Sequence, residues 1–376
     1  MTMNADATEN VAEPDVVYDT LVEQLREAPP SPSITALPDG SVDYQCRVET
    51  GAAGPIGEGR SPPSRKQLGE SIARGEHKSL RIVPEVGEPG GQAVNLAFGA
   101  HGFGADVTLF GHLDAPAMPE FPFPTRSMGA PATVRILDFV DGALMLAEES
   151  GDILSWTFDD VRAAATDLGA RLDADVCCCC NWVSFPNMPT ALRDLADAAL
   201  DHDADGIFVL DPGDVVGSDP AALRDLLDVL ARLGDAYDVV LNANRRELRE
   251  LASVVADGEP AGTDQRGVVD DDGMLALREA GELRAVVMHA RPKAAAATDD
   301  GVVEIPNLTI EGPERWTGGG DRFGAGLATA LGAGWPIEAG LALGNAAASY
   351  YVTQARDPDP EALADFIAAP EHRPGR

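Results

Sequence analysis

The sequence predicts an α/β fold built on a mostly parallel sheet, and three observations predict it. Short apolar runs at 107–110, 176–180, 207–210, 239–241 and 285–288 alternate with helical stretches such as 192–200 and 221–233. Strands that alternate with helices are joined by crossovers, which set neighbouring strands parallel. Glycines stand directly before two helical stretches, at Gly90-Gly91 and at Gly318-Gly319-Gly320. A hairpin pattern at 132–148 turns at Asp141-Gly142, and with strands near 42–48 and 80–88 it makes a small sheet apart from the main body.

At 376 residues and 44% apolar, the chain can bury one large core, with at most a smaller appendage. The fold proper is expected over 33–360. Residues 1–32 read as an acidic accessory segment, 51–66 as a Gly-, Pro- and Ser-rich surface loop, and 361–376 as a polar tail. The longest apolar stretch, 323–352, is split by Pro336 and Glu338 into two helices of globular length, so it is not a membrane span. The first thirty residues carry no basic region followed by an apolar run, so a cytoplasmic protein is expected.

The formal net charge is −34, and Lys66, Lys78 and Lys293 are the only lysines. Such a surface repels nucleic acid and anionic membranes, so neither is expected as a partner. Acidic residues spread along the whole chain fit a surface adapted to high salt, where ions screen the self-repulsion. Four of the five cysteines are Cys177 to Cys180, in one apolar run. Successive strand side chains point to opposite faces, so the run cannot close a tetrahedral zinc site and reads as small core residues.

Three motifs carry chemistry. Gly318-Gly319-Gly320-Asp321 opens a helix; glycines let backbone N–H groups approach an anion, and the helix N-terminus adds partial positive charge. Asp321 is then either a hydroxyl-proton acceptor beside that anion or a plain helix cap. In Gly90-Gly91-Gln92-Ala93-Val94-Asn95, the two amides lie on one helical face, suited to several hydroxyls of a polyol or to solvent. Asp43 lies beyond the apolar run 34–37, where open α/β sheets bind ligands. Asn244 and Glu247, three apart after the run 239–241, suit hydrated Mg²⁺ near phosphate oxygens or a capping box.

In their order along the chain, Gly-Gly-x-x-x-Asn, Asn-x-x-Glu and Gly-x-Gly-Asp, these motifs resemble the ribokinase-like, PfkB-type carbohydrate kinases over roughly 33–356. The resemblance implies a doubly wound sheet with helices on both faces and a small β-sheet lid. It also implies transfer of the terminal phosphoryl group of a nucleotide, ATP or alternatively ADP, with Mg²⁺, to a hydroxyl of a sugar or sugar phosphate. Asp321 then matches the base, Gly318, Gly319 and Gly320 the anion hole, and Asp43, Gly90, Gly91, Gln92 and Asn95 the sugar site. Asn244 and Glu247 match the metal and phosphate motif.

Two departures stand out: Arg315-Trp316-Thr317-Gly318 replaces the usual Asp-Thr-Thr-Gly, and 288–294 lacks the usual nucleotide-site glycines. In that second segment His289, Arg291 or Lys293 is expected at the nucleotide, with Asn345 from the late helix, and the segment is closer to the ADP-dependent branch. His289 can equally be a satisfied histidine at a strand end. Arg81, Arg126 and Arg135, in or near the lid, are candidates to grip a substrate phosphate. A homodimer through the lid, a nucleoside acceptor, and a non-catalytic homologue complete the expectations.

Overall fold

Each apolar run named above becomes a strand of one sheet. The computed structural model describes residues 14–49, 62, 64–255, 269–312, 314–315 and 317–374. Its strands are β1 (Ser33–Leu37), β2 (Ser41–Glu49), β3 (Arg81–Gly90), β4 (Asp106–Gly111), β5 (Thr125–Ser127), β6 (Ala132–Phe139), β7 (Gly142–Glu148), β8 (Val176–Cys180), β9 (Ile207–Asp211), β10 (Asp238–Asn244), β11 (Ala285–His289), β12 (Lys293–Thr298) and β13 (Gly301–Pro306). The helices are α1 (Pro14–Glu27), α2 (Arg65–Ala73), α3 (Gln92–Gly102), α4 (Gly151–Ser155), α5 (Phe158–Ala164), α6 (Leu168–Leu172), α7 (Met188–Asp201), α8 (Pro220–Leu233), α9 (Arg245–Val255), α10 (Asp271–Ala280), α11 (Gly319–Gly332), α12 (Ile337–Gln354) and α13 (Pro360–Ala368).

The main sheet runs β13-β12-β11-β10-β9-β8-β1-β4-β5, with β12 alone running opposite to the others. Helices cover both faces. Cys178 and Cys180 share one core with α1, α3, α11, α12 and α13, while Cys177 and Cys179 share the other with α5, α7, α8, α9 and α10. All four thiols are buried, and burial raises their pKa, so they are inert packing atoms. From β1 the sheet continues to β4 on one side and to β8 on the other, which opens a crevice beyond the strands' carboxyl ends.

The second sheet, β3-β2-β6-β7, is the expected lid. Its covered face packs Cys46, Val48 and Leu137 under Leu68 of α2. The lid is joined to the body where β1 passes into β2 and β3 passes into α3. At that crossing a Cβ on Gly91 would stand 2.8 Å from the Gly40 Cα, and Gly91 has φ +104°, so glycine is required there twice over.

Three features depart from the sequence reading. The segment read as accessory contains α1, whose Tyr18, Leu21 and Leu25 are buried in the core against α12 and α13. Burying each such side chain stabilises the fold by about 1.5–3 kcal/mol, so α1 belongs to the body. The segment read as a polar tail contains most of α13, with Leu363, Phe366 and Ile367 buried and Asp365 bonded to Arg26 at 2.7 Å. Finally, β12 and β13 form an antiparallel hairpin that extends the sheet beyond β11. Most of the stretch read as a loop insertion lies outside the described residues, as does Trp316, but its last two residues, Arg65 and Lys66, open α2.

Candidate active site

The site is assembled at the carboxyl ends of β1, β9, β10 and β11, between the N-termini of α3 and α11. Gly91, the residue capping α3, has no side chain to satisfy the first helical N–H groups. Asp39, just beyond β1, supplies the cap instead, accepting from the N–H groups of Gln92 (2.8 Å) and Ala93 (2.6 Å) and from Asn181 Nδ2 (3.1 Å). With its backbone so held, α3 presents Gln92 and Asn95 from one face. Gln92 Nε2 donates to Asp211 Oδ1 (3.2 Å), and Asn95 Nδ2 donates to Asp321 Oδ2 (2.7 Å). Gln92 Oε1 is buried without a partner.

Helix α11 begins at Gly319, after Gly318 in the left-handed region at φ +81°. The N–H groups of its first turn have no helical acceptor. His289, ending β11, lies against this turn: a Cβ on Gly320 would stand 3.2 Å from its Nε2. Its ring packs on Phe323, its Nδ1 lies 3.2 Å from Asn242 Oδ1, and Asn242 Nδ2 donates to Asp211 Oδ2 (3.1 Å). Because that amide oxygen faces Nδ1, the ring proton sits on Nδ1 and Nε2 faces the turn as an acceptor. Burial pushes the His289 pKa down to about 4, so the ring is neutral near pH 7.

The crevice is lined with carboxyl groups. Burial pushes Asp321 up to about 7, opposed by the Arg322 charge and reinforced by Asp211. Asp211 is raised to about 7 by burial and by Glu247, and Asp39 to about 6 by burial. Asp43 is raised by burial despite a hydrogen bond from Ser41, and Glu88 lies directly opposite it on β3. A Cβ on Gly90 would collide with the Asp43 carboxylate.

Asn244 and Glu247 form a reciprocal cap on α9. Glu247 accepts from the Asn244 N–H (2.8 Å) and from its side-chain amide, while Asn244 Oδ1 accepts from the N–H groups of Arg246 (2.9 Å) and Glu247 (3.2 Å). Burial raises Glu247 to about 7. Among the described residues no three His, Cys, Asp or Glu side chains converge on a common metal position.

The structure thus brings together Asp43, Gly90, Gly91, Gln92, Asn95, Gly318, Gly319, Gly320, Asp321 and His289. It does not bring Asn345 there. That residue is 1% exposed and its amide is spent on Ile305 O (3.1 Å) and Tyr18 Oη (3.3 Å), tying α12 to β13 and α1. Lys293 is paired with Glu304 on the β12–β13 hairpin, and Arg291 is exposed on the turn before it. Of the three arginines expected to grip a substrate phosphate, Arg81 pairs with Glu49 (3.6 Å) and Arg135 with Glu148 (3.4 Å), while Arg126 lies on β5 of the main sheet.

Residues not singled out as site residues by sequence alone are Asp39, Asn181, Asp211, Asn242 and Arg322. A polar side chain inside or ending an apolar run marks Asp39, Asp211 and Asn242, but that signal is shared with ordinary turns.

Comparison with known proteins accords with this geometry. The family model described as prokaryotic ketohexokinase matches residues 65–369. This chain belongs to that family. It is 29% identical over 315 residues to a ketohexokinase of Haloferax volcanii, covering 81% of each chain, and that relative accords with the high-salt reading of the acidic surface. Among solved structures the fold is shared with a probable sugar kinase from Rhizobium etli (TM-score 0.60, 18% identity, 89% of this chain and 97% of the other). It is also shared with a ribokinase from Thermotoga maritima (TM-score 0.58, 14% identity, 90% and 100%) and a nucleoside kinase from Methanocaldococcus jannaschii (TM-score 0.55, 16% identity, 90% and 98%). The chain is therefore a carbohydrate kinase of ribokinase-like fold, transferring a nucleotide's terminal phosphoryl group to a sugar hydroxyl. No helix among the described residues is long and apolar enough to cross a membrane.

Proposed function

We propose that this kinase phosphorylates a free ketohexose from ATP, with Asp321 as the base. The observation that carries this reading is the Asp321 carboxylate, set in the first turn of α11 beside the 318–320 turn and held by Asn95. With Oδ2 taken by Asn95, Oδ1 is left for the sugar hydroxyl. Asp321 takes the hydroxyl proton, the oxygen attacks the terminal phosphorus, and the bond to the bridging oxygen of the departing ADP breaks. The unpaired N–H groups at the start of α11 receive the transferred oxygens.

Asp43, Gln92 and Asn95 bind the sugar hydroxyls, with Gly90 leaving room for the Asp43 carboxylate and Gly91 for the close crossing at Gly40. His289 and Arg291 flank the nucleotide phosphates. The donor set fits magnesium only as an ion carried largely by phosphate oxygens and water, with Asn244 and Glu247 as its protein partners, because no protein-only cage exists among the described residues. Such an ion neutralises phosphate charge during transfer. Ion pairs at Arg81 and Arg135 favour a free sugar over a sugar phosphate.

A coupled assay in molar KCl tests the reading. ATP or ADP is offered with ketohexoses, aldohexoses, sugar phosphates and nucleosides. The expected result is turnover with ATP and a ketohexose above all other pairs. Preference for a nucleoside or for ADP would replace the acceptor or donor assigned here.

We further propose that the protein works in the cytoplasm and dimerises through β7. The other lid edge, β3, carries Pro84 and Pro89, which blunt pairing, whereas β7 exposes Leu144, Met145 and Leu146 along an open strand. Light scattering is expected to give a dimer for the wild type and a monomer for Leu146→Glu; a monomeric wild type would exclude this interface.

A further inference from the structure

Arg322, the neighbour of Asp321, is 4% exposed. Its Nε and Nη2 fork onto Asp357 (2.8 and 3.1 Å), and its guanidinium lies 3.8 Å above the Tyr351 ring. The remaining nitrogen, Nη1, is buried with no partner, and a Cβ on Gly318 would stand 3.4 Å from it. A buried donor left unmatched costs about 1–3 kcal/mol, more when charged. An apolar residue of this length would fill the space without that cost. Nη1 lies under the turn at the N-terminus of α11, a helix of 14 residues.

We propose that Arg322 is a positioning residue of the anion-binding turn, a fixed positive charge beneath Gly318 that acts on phosphoryl oxygens bound above it and on the Asp321 carboxylate beside it. The inference rests on the kinase reading given above. Nη1 has no open surface, so Arg322 acts through the turn and never touches substrate. Buried in this way, the charge is weakly screened. The other groups acting on Asp321 are Asp211 and Asp43, which raise it, Asn95, which lowers it, and Asp39, which is itself raised by the Asp321 charge. His289 is neutral near pH 7. Arg322 is thus the cation set against Asp211, Asp43 and Asp39.

Three variants in molar KCl separate this role from mere packing. Arg322→Met is expected to lower kcat/KM for ATP by about 10- to 100-fold and to move the acid limb of its pH profile to higher pH. Arg322→Lys keeps the charge, so the limb stays at the wild-type position and most activity returns. Asp357→Asn removes the anchor but leaves the charge, so Tm falls while turnover stays near wild type.

If Arg322→Met keeps both the wild-type rate and the wild-type limb, the inference is overturned. It is equally overturned if Asp357→Asn loses activity as far as Arg322→Met with neither limb moving, which is the signature of a packing role. Should Arg322→Met fail to fold, the lysine and Asp357→Asn variants decide between the same outcomes. Calorimetric ATP binding keeps the two readings distinct: weaker binding by Arg322→Met than by a wild type that turns over no sugar would sink the kinase assignment and leave the role of Arg322 standing.

Discussion

Asp321→Asn is expected to lower kcat by about 10²- to 10⁴-fold, the usual contribution of a positioned general base, with sugar affinity little changed. The asparagine has the same shape, and its side-chain oxygen still accepts from Asn95 Nδ2, which now donates at 2.7 Å to Oδ2. What is lost is the site for the hydroxyl proton. Because burial pushes the Asp321 carboxyl up to about 7, the wild-type rate should also depend on pH near neutrality. Only the ionised form accepts a proton, so kcat/KM falls as pH drops through about 7 and levels off above it. In Asp321→Asn the residual rate loses that limb. Steady-state kinetics across pH, beside calorimetric sugar binding, measures both effects.

Gly326→Val is expected to destabilise the protein by about 3 kcal/mol or more, at the upper end for overpacking a core. A Cβ on Gly326 would stand 2.8 Å from the backbone of Leu343 and Gly344 on α12, and one on Gly344 would stand 2.7 Å from the Phe323 ring. Here α11 and α12 meet backbone to backbone, so no flexible side chain can give way. A branched side chain must part the helices, and α11 carries Asp321 at its start. At roughly 2–4 °C per kcal/mol for a sizeable domain, Tm falls by about 6–12 °C. Thermal unfolding in molar KCl reads this directly, and an unchanged Tm would show that the helix crossing is looser than described.

Gly326 also shows how far a sequence motif can be read. The glycines of Gly318-Gly319-Gly320-Asp321-Arg322-Phe323-Gly324-Ala325-Gly326 look alike on the page. Those before Asp321 shape the turn, whereas Gly326 lets two helices touch. The parallel strands β1, β4, β8, β9, β10 and β11 were legible because each is an apolar run bounded by turn residues, whereas β5, Thr125–Ser127, carries no such run. The strand β12 was not, because its Ala294 to Ala297 run carries no strand preference and becomes a strand only through burial on both faces. The place of α1 and α13 in the body was hidden for a related reason: each covers the other, and neither buries its apolar side alone.

Within the site, the pairs set by local spacing were readable, as with Gln92 and Asn95 on one face of α3. The contacts that fix them were not. Asp39 meets Asn181 across 142 residues, and Asn95 meets Asp321 across 226. Strand order, not sequence spacing, puts such residues together. Asn345 failed in the opposite sense: its place on a late helix suggested the nucleotide, and burial against Tyr18 assigned it to the core.

The most direct test of the central claim is phosphorus NMR on the folded wild-type protein in molar KCl with ATP, Mg²⁺ and fructose. The account predicts a sugar phosphate resonance growing in step with ADP and absent from the Asp321→Asn sample over the same time. ATP left unchanged, or ADP accompanied only by inorganic phosphate, would contradict it.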